Sequence, residues 1–82
     1  MSYHLTPIAK GVYGQASKLQ EEVAELMDAH DQGIKIMVMN ELADLYGAMR
    51  AYAKNLNLTM EDLEAMANVT ERAFASGRRK AQ

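Results

Sequence analysis

From residue 15 onward, apolar residues recur at steps of three and four, in three blocks separated by breaks. In the first block Leu19, Val23, Leu26 and His30 share one helical line, which predicts a helix over residues 15–31. Gly33 suits the stop that follows. The second block carries Ile34, Val38, Leu42, Leu45, Met49 and Tyr52 and predicts a longer helix over 34–55. Gly47 interrupts it at a cost of up to about 1 kcal/mol against Ala, which points to close helix packing there. The stretch "NLNL" is the next break. Thr59, with Asp62 three positions on, is an N-cap signature. A third helix is expected to run to about residue 76, stopped by Gly77, with Leu63, Met66, Val69, Ala73 and Phe74 on its inner face. Pro7, Gly11 and Gly14 mark residues 1–14 as irregular. Residues 1–82 therefore read as one all-α domain, an antiparallel bundle of about three helices with short connections.

Length changes this picture. A chain of 82 residues buries a small fraction of its surface and has no cysteine for a disulfide or thiolate staple. Completion of the bundle by self-association is the expectation. A hydrophobic content of 49% excludes disorder. The seven methionines suit core filling. The net charge of −2 argues against a nucleic-acid module, and "GRRK" (77–80) is the one basic cluster. No apolar run approaches a membrane span, and "MSYHLTPIAKG" lacks the hydrophobic centre of a signal peptide. The expected setting is a cytoplasm, the cell's own or that of a host.

The polar positions raise the chemical question. "KLQEEVAEL" holds Glu21, Glu22 and Glu25, and "NELADL" holds Glu41 and Asp44. Glu22/Glu25 and Glu41/Asp44 are both i, i+3 pairs, so each lies on one side of its helix. Each pair stands about 90–100° from its helix's apolar stripe, in the same sense. Helices packed through those stripes would turn both acidic edges into one groove. Two carboxylates about 4 Å apart repel by roughly 4 kcal/mol at an effective dielectric near 20. Protonation or a bound cation must relieve four of them in a partly dry groove. All-oxygen ligands suit Mg2+, Mn2+ or Ca2+. Zinc fits poorly, because His4 and His30 do not pair into a ligand motif. A di-iron carboxylate bundle needs Glu-x-x-His, and Met27 stands three before His30. Spacing alone leaves two readings open: a cation site, or ordinary solvated acidic faces.

"EEVAEL" followed by "ELADL" resembles the Glu-Glu-x-x-Glu … Glu-x-x-Asp signature of the MazG-like, all-α nucleoside triphosphate pyrophosphohydrolases. Dimeric dUTPases and phosphoribosyl-ATP pyrophosphatases are relatives of that family. "KGVYGQASKLQEEVAELMDA", "NELADLYGAMRAY" and "TERAFASGRR" are similar to its short members common in bacteriophages, so the likeness covers Lys10 to Arg79. The resemblance implies hydrolysis of a nucleoside triphosphate to monophosphate and pyrophosphate, in a homodimer or dimer of dimers. It implies Mg2+, with Mn2+ as a substitute, held by Glu22, Glu25, Glu41 and Asp44. Glu21 would hold or deprotonate the attacking water. Lys18, Asn68, Arg72 and Arg78 would bind substrate, with Arg79 beside them and Lys10 closing over the ligand.

Each of these residues also has a plainer role. Lys18 can pair with Glu22 or Glu21 along its helix. Arg78 and Arg79 can complement a helix C-terminus. Met37 and Ala48, and Tyr13, Tyr46 and Tyr52, are candidates for a nucleobase pocket, yet their spacing favours the core, as it does for His30. The chain lacks the fourth helix of longer relatives, which implies a completing subunit, and the tryptophans with which some hold a pyrimidine. Two alternatives stand beside the enzyme: a non-catalytic helical oligomerisation or regulatory module, and phosphoribosyl-ATP hydrolysis.

Overall fold

A computed structural model describes residues 4–77 and is all-helical: α1 (Ala16–Gln32), α2 (Lys35–Asn55) and α3 (Met60–Ala75), with no strand among the described residues. Among the described residues no helix is long and apolar enough to cross a membrane. The helix limits fall within a residue or so of those expected, because local chemistry sets them. Gly33 caps α1 in the left-handed region (φ 71°) and its N–H donates to the His30 carbonyl. Thr59 accepts from the Asp62 N–H while the Asp62 carboxylate accepts from the Thr59 N–H, both at 3.0 Å, a complete capping box on α3. Gly14, at φ 86°, offers its carbonyl to Asn55 Nδ2 at 2.8 Å, which ties the N-terminal segment to the end of α2.

α1 and α2 pack along their length, whereas α3 makes no extensive contact with either. The radius of gyration is 14.7 Å. A compact chain of this size would have about 12 Å. The face that α1 and α2 share differs from the expected one. Buried positions are Glu21, Glu22, Asp28 and Ala29 on α1, and Glu41, Ala48 and Ala53 on α2. The apolar stripes are largely outside: Val23, Ile34, Leu42 and Met49 are exposed, and Leu19, Leu26, Val38 and Leu45 half-buried. His30 is exposed as well, not packed. On α3 only Ala73 of the expected inner face is buried, and Met66, Val69 and Phe74 are exposed. Met27, Met39, Met49 and Met66 are exposed and so do not fill a core. The physical reason is that an apolar stripe is buried only when a second apolar surface packs on it, and α3, which carries one, makes no extensive contact with α1 or α2. The buried positions on the two helices are instead acids and small alanines. A Cβ on Gly47 would meet nothing within 4 Å among the described residues, so the close packing expected at that position is not found among them.

Candidate metal centre

The helix period carries Glu21, Glu22, Glu25 and Asp28 along the inner side of α1, and Glu41 onto that of α2. Three overlapping groups result, in each of which the donor atoms lie within 4.8 Å of one another: Glu22 with Glu41 and Asp44; Glu21 with Glu22 and Glu25; His4 with Glu25 and Glu41. Glu22 and Glu25 thus face Glu41 and Asp44. Glu41 is fully buried, Glu21 and Glu22 are each 4% exposed, and Asp44 opens to solvent.

The electrostatics are uneven. Lys18 Nζ lies 3.1 Å from Glu21 Oε1 and 3.2 Å from Glu22 Oε2, so both helical pairs form. The hydrogen bond to Glu21 is the main reason the Lys18 pKa is raised. Glu22 Oε1 is buried and has no hydrogen-bond partner among the described residues. Glu21 accepts the Gly11 N–H at 2.9 Å, and this bond, with Lys18 and Lys10, holds its pKa below the usual carboxylate range. Gly11 is obligatory for that contact, since a Cβ there would run into the Ser17 carbonyl. Burial, followed by the charges of Glu22, Glu41 and Glu21, pushes the Glu25 pKa up.

His4 belongs to the same cluster, although it pairs with His30 into no ligand motif. Its Nε2 lies 3.2 Å from Glu25 Oε1 and 3.1 Å from Glu41 Oε2. Its Nδ1 lies 3.5 Å from Asp28 Oδ1. Asp28 anchors the segment that carries it: it accepts the N–H groups of Leu5 and Thr6, the Thr6 hydroxyl and Gln32 Nε2. The Gln32 bond first, then those from Thr6 and Leu5, hold the Asp28 carboxyl far below its ordinary range. His4 left no signal in the sequence, being in a segment without periodicity. Asp28 did leave one, because Glu21, Glu25 and Asp28 fall at helical spacing.

The remaining candidates lie apart. Asn68 and Arg72 are exposed on α3, and neither pairs with the acidic group. Arg78 and Arg79 fall outside the described residues. A cleft of about 390 Å³ opens beside the acids, lined by Tyr13, Lys18, Glu22, Ala43, Asp44, Gly47 and Ala48. Tyr13 is 72% exposed at its edge, so it is no core residue. Tyr46 is exposed too, with the Arg50 guanidinium 5.1 Å from its ring centre, and Tyr52 and Met37 are half-buried. Compared with family models, curated proteins and solved structures, the chain matches none.

The donor set fits a divalent cation. Carboxylates from two helices present oxygen ligands within one small volume, with a buried oxygen left over on Glu22. That chemistry suits Mg2+ or Mn2+, and the imidazole widens the range.

Proposed function

We propose that the chain is a Mg2+-dependent nucleoside triphosphate pyrophosphohydrolase, converting a triphosphate and water to a monophosphate and pyrophosphate. One observation carries this: Glu22, Glu25, Glu41 and Asp44 meet across α1 and α2, and buried Glu22 Oε1 has no hydrogen-bond partner among the described residues. Gathering like charge is costly unless a cation occupies the site. The resemblance of "EEVAEL" and "ELADL" to the MazG-like family supports the same reaction.

In this proposal Glu22, Glu25, Glu41 and Asp44 hold Mg2+, or Mn2+ in its place. A bound ion supplies charge neutralisation on the phosphate oxygens and a more acidic water. The chain supplies position. Lys18, at the edge of the cleft and beside Glu22, sets a positive charge where a phosphate would approach the acids. Glu21, with its lowered pKa and its Gly11 and Lys18 contacts, orients water rather than taking its proton. The cleft floor at Ala43, Gly47 and Ala48 takes the nucleoside, with Tyr13 at its rim.

The proposal takes α1 and α2 as antiparallel, since Glu25 neighbours Glu41 while Glu22 neighbours Asp44. It also takes the chain as a homodimer or dimer of dimers. The exposed apolar residues on α1, α2 and α3 support this, Leu42 and Met66 among them. Asn68, Arg72 and Arg78 then act on phosphate in the site of a partner copy. Nucleotide-pool control in a cytoplasm follows as the biological setting.

A non-catalytic helical module is the second reading, favoured by Lys18, which already neutralises Glu21 and Glu22 in part. A panel of nucleoside triphosphates with Mg2+, assayed for pyrophosphate and orthophosphate, separates the two. Pyrophosphate release is expected. Orthophosphate alone means a different bond is cut, and no turnover favours the module.

A further inference from the structure

We propose that His4, Glu25 and Glu41 form a second cation subsite, which prefers borderline ions such as Co2+ and Zn2+ to Mg2+. It rests on the metal-centre reading above, because it shares Glu25 and Glu41 with it. His4 Nε2 lies 3.2 Å from Glu25 Oε1 and 3.1 Å from Glu41 Oε2. Adjacent ligands of a six-coordinate ion with bonds near 2.1 Å stand about 3 Å apart, so the spacing suits a shared ion. A carboxylate stands behind the imidazole as well: Asp28 Oδ1 is 3.5 Å from Nδ1. Asp28 is itself held by the Leu5 and Thr6 N–H groups and by Gln32. A carboxylate at the rear nitrogen orients the front one toward a metal and raises its basicity.

A separate observation points to a ligand in this volume. Glu22 is 4% exposed, and its buried Oε1 has no hydrogen-bond partner among the described residues. Lys18 holds its other oxygen, and its carboxylate belongs to two groups of donor atoms within 4.8 Å, one with Glu21 and Glu25 and one with Glu41 and Asp44, so it adjoins both carboxylates of the His4 set. The Glu22–Glu41–Asp44 set is all oxygen and suits a hard ion. The His4 set adds nitrogen and suits a softer one. Fully buried Glu41 belongs to both, an arrangement compatible with two neighbouring ions.

The test uses the full chain and metal ions alone. Mg2+, Co2+ and Zn2+ are titrated separately against the wild type, His4→Gln and Asp28→Asn, reading thermal midpoints and, for Co2+, visible absorption. The wild type is expected to bind Co2+ and Zn2+ more tightly than Mg2+. His4→Gln should weaken Co2+ and Zn2+ binding at least about tenfold and alter the Co2+ spectrum, with the Mg2+ shift unchanged. Asp28→Asn should weaken Co2+ binding by a smaller factor. No preference in the wild type, or unchanged or tighter Co2+ binding in His4→Gln, overturns the subsite; tighter binding makes His4 a counter-ion. Loss of Mg2+ stabilisation with Co2+ binding intact sinks the pyrophosphohydrolase reading and leaves the subsite standing.

Discussion

Glu22→Gln isolates the cost of the acidic cluster from its benefit. At the 4.8 Å limit between donor atoms, Glu22 repels Glu41 and Asp44 by about 3.5 kcal/mol each at an effective dielectric of ~20. On the same scale Lys18 Nζ, 3.2 Å from Glu22 Oε2, returns about 5 kcal/mol. Lys18 keeps its Glu21 partner in the variant. Solvent around Asp44 and Lys18 screens both quantities, Glu21 and Glu25 add repulsion of the same sign, and the balance is at least about 1 kcal/mol in favour of Gln. In chelator, Glu22→Gln should therefore melt about 4–8 °C above the wild type. With Mg2+ at one hundred times its dissociation constant, the wild type should gain about 2.7 kcal/mol by mass action, and the variant almost nothing. The assay is thermal unfolding followed by circular dichroism, with and without Mg2+, at one fixed protomer concentration. Equal gains from Mg2+ in both proteins would refute the reasoning, because Glu22 would then contribute nothing to an ion site. A variant less stable than wild type in chelator would show that Lys18 already outweighs the repulsion.

Three further outcomes follow from particular contacts. Thr59→Ala removes the hydroxyl of the α3 capping box and should lower stability by about 1 kcal/mol, read as a shifted denaturant midpoint with unchanged slope. The pH profile of stability in chelator should carry two opposed contributions. Asp28, with a lowered folded pKa, contributes stability above the unfolded value of about 3.9, lost as pH falls through the folded one. Glu25, with a raised pKa, acts oppositely: stability falls as pH rises from about 4.3 toward its folded value. Denaturant titrations from acid to neutral pH should lose the first component in Asp28→Asn and the second in Glu25→Gln. Leu42→Glu places charge on the exposed apolar side of α2 and should shift sedimentation toward monomer; an unchanged distribution would place any self-association elsewhere.

The acidic cluster was legible before the fold, though for a reason that proved incomplete. Glu22, Glu25, Glu41 and Asp44 stood out by their i, i+3 spacing, and the structure gathers them. The expected route was packing through Leu19, Val23 and Leu26 against Val38, Leu42 and Leu45. The positions that are in fact buried are the acids and Ala29, Ala48 and Ala53. Periodicity reports which residues share a helix side. It does not report which side a neighbour will cover, because that depends on the other surfaces within reach. Asn68 and Arg72 show the same limit: they lie on a helix that makes no extensive contact with the acidic pair.

What this chain's sequence determined by itself is local. The three helices, the Gly33 stop and the Thr59–Asp62 box follow from interactions between residues at most four apart, which act in any tertiary setting. Only the tertiary structure decided that a segment without periodicity returns across α1. Asp28, 23 positions from Leu5, binds its backbone and sets His4 between Glu25 and Glu41. Such a contact depends on chain closure over many residues and on an anchor whose partners are backbone N–H groups, which every residue but proline carries alike.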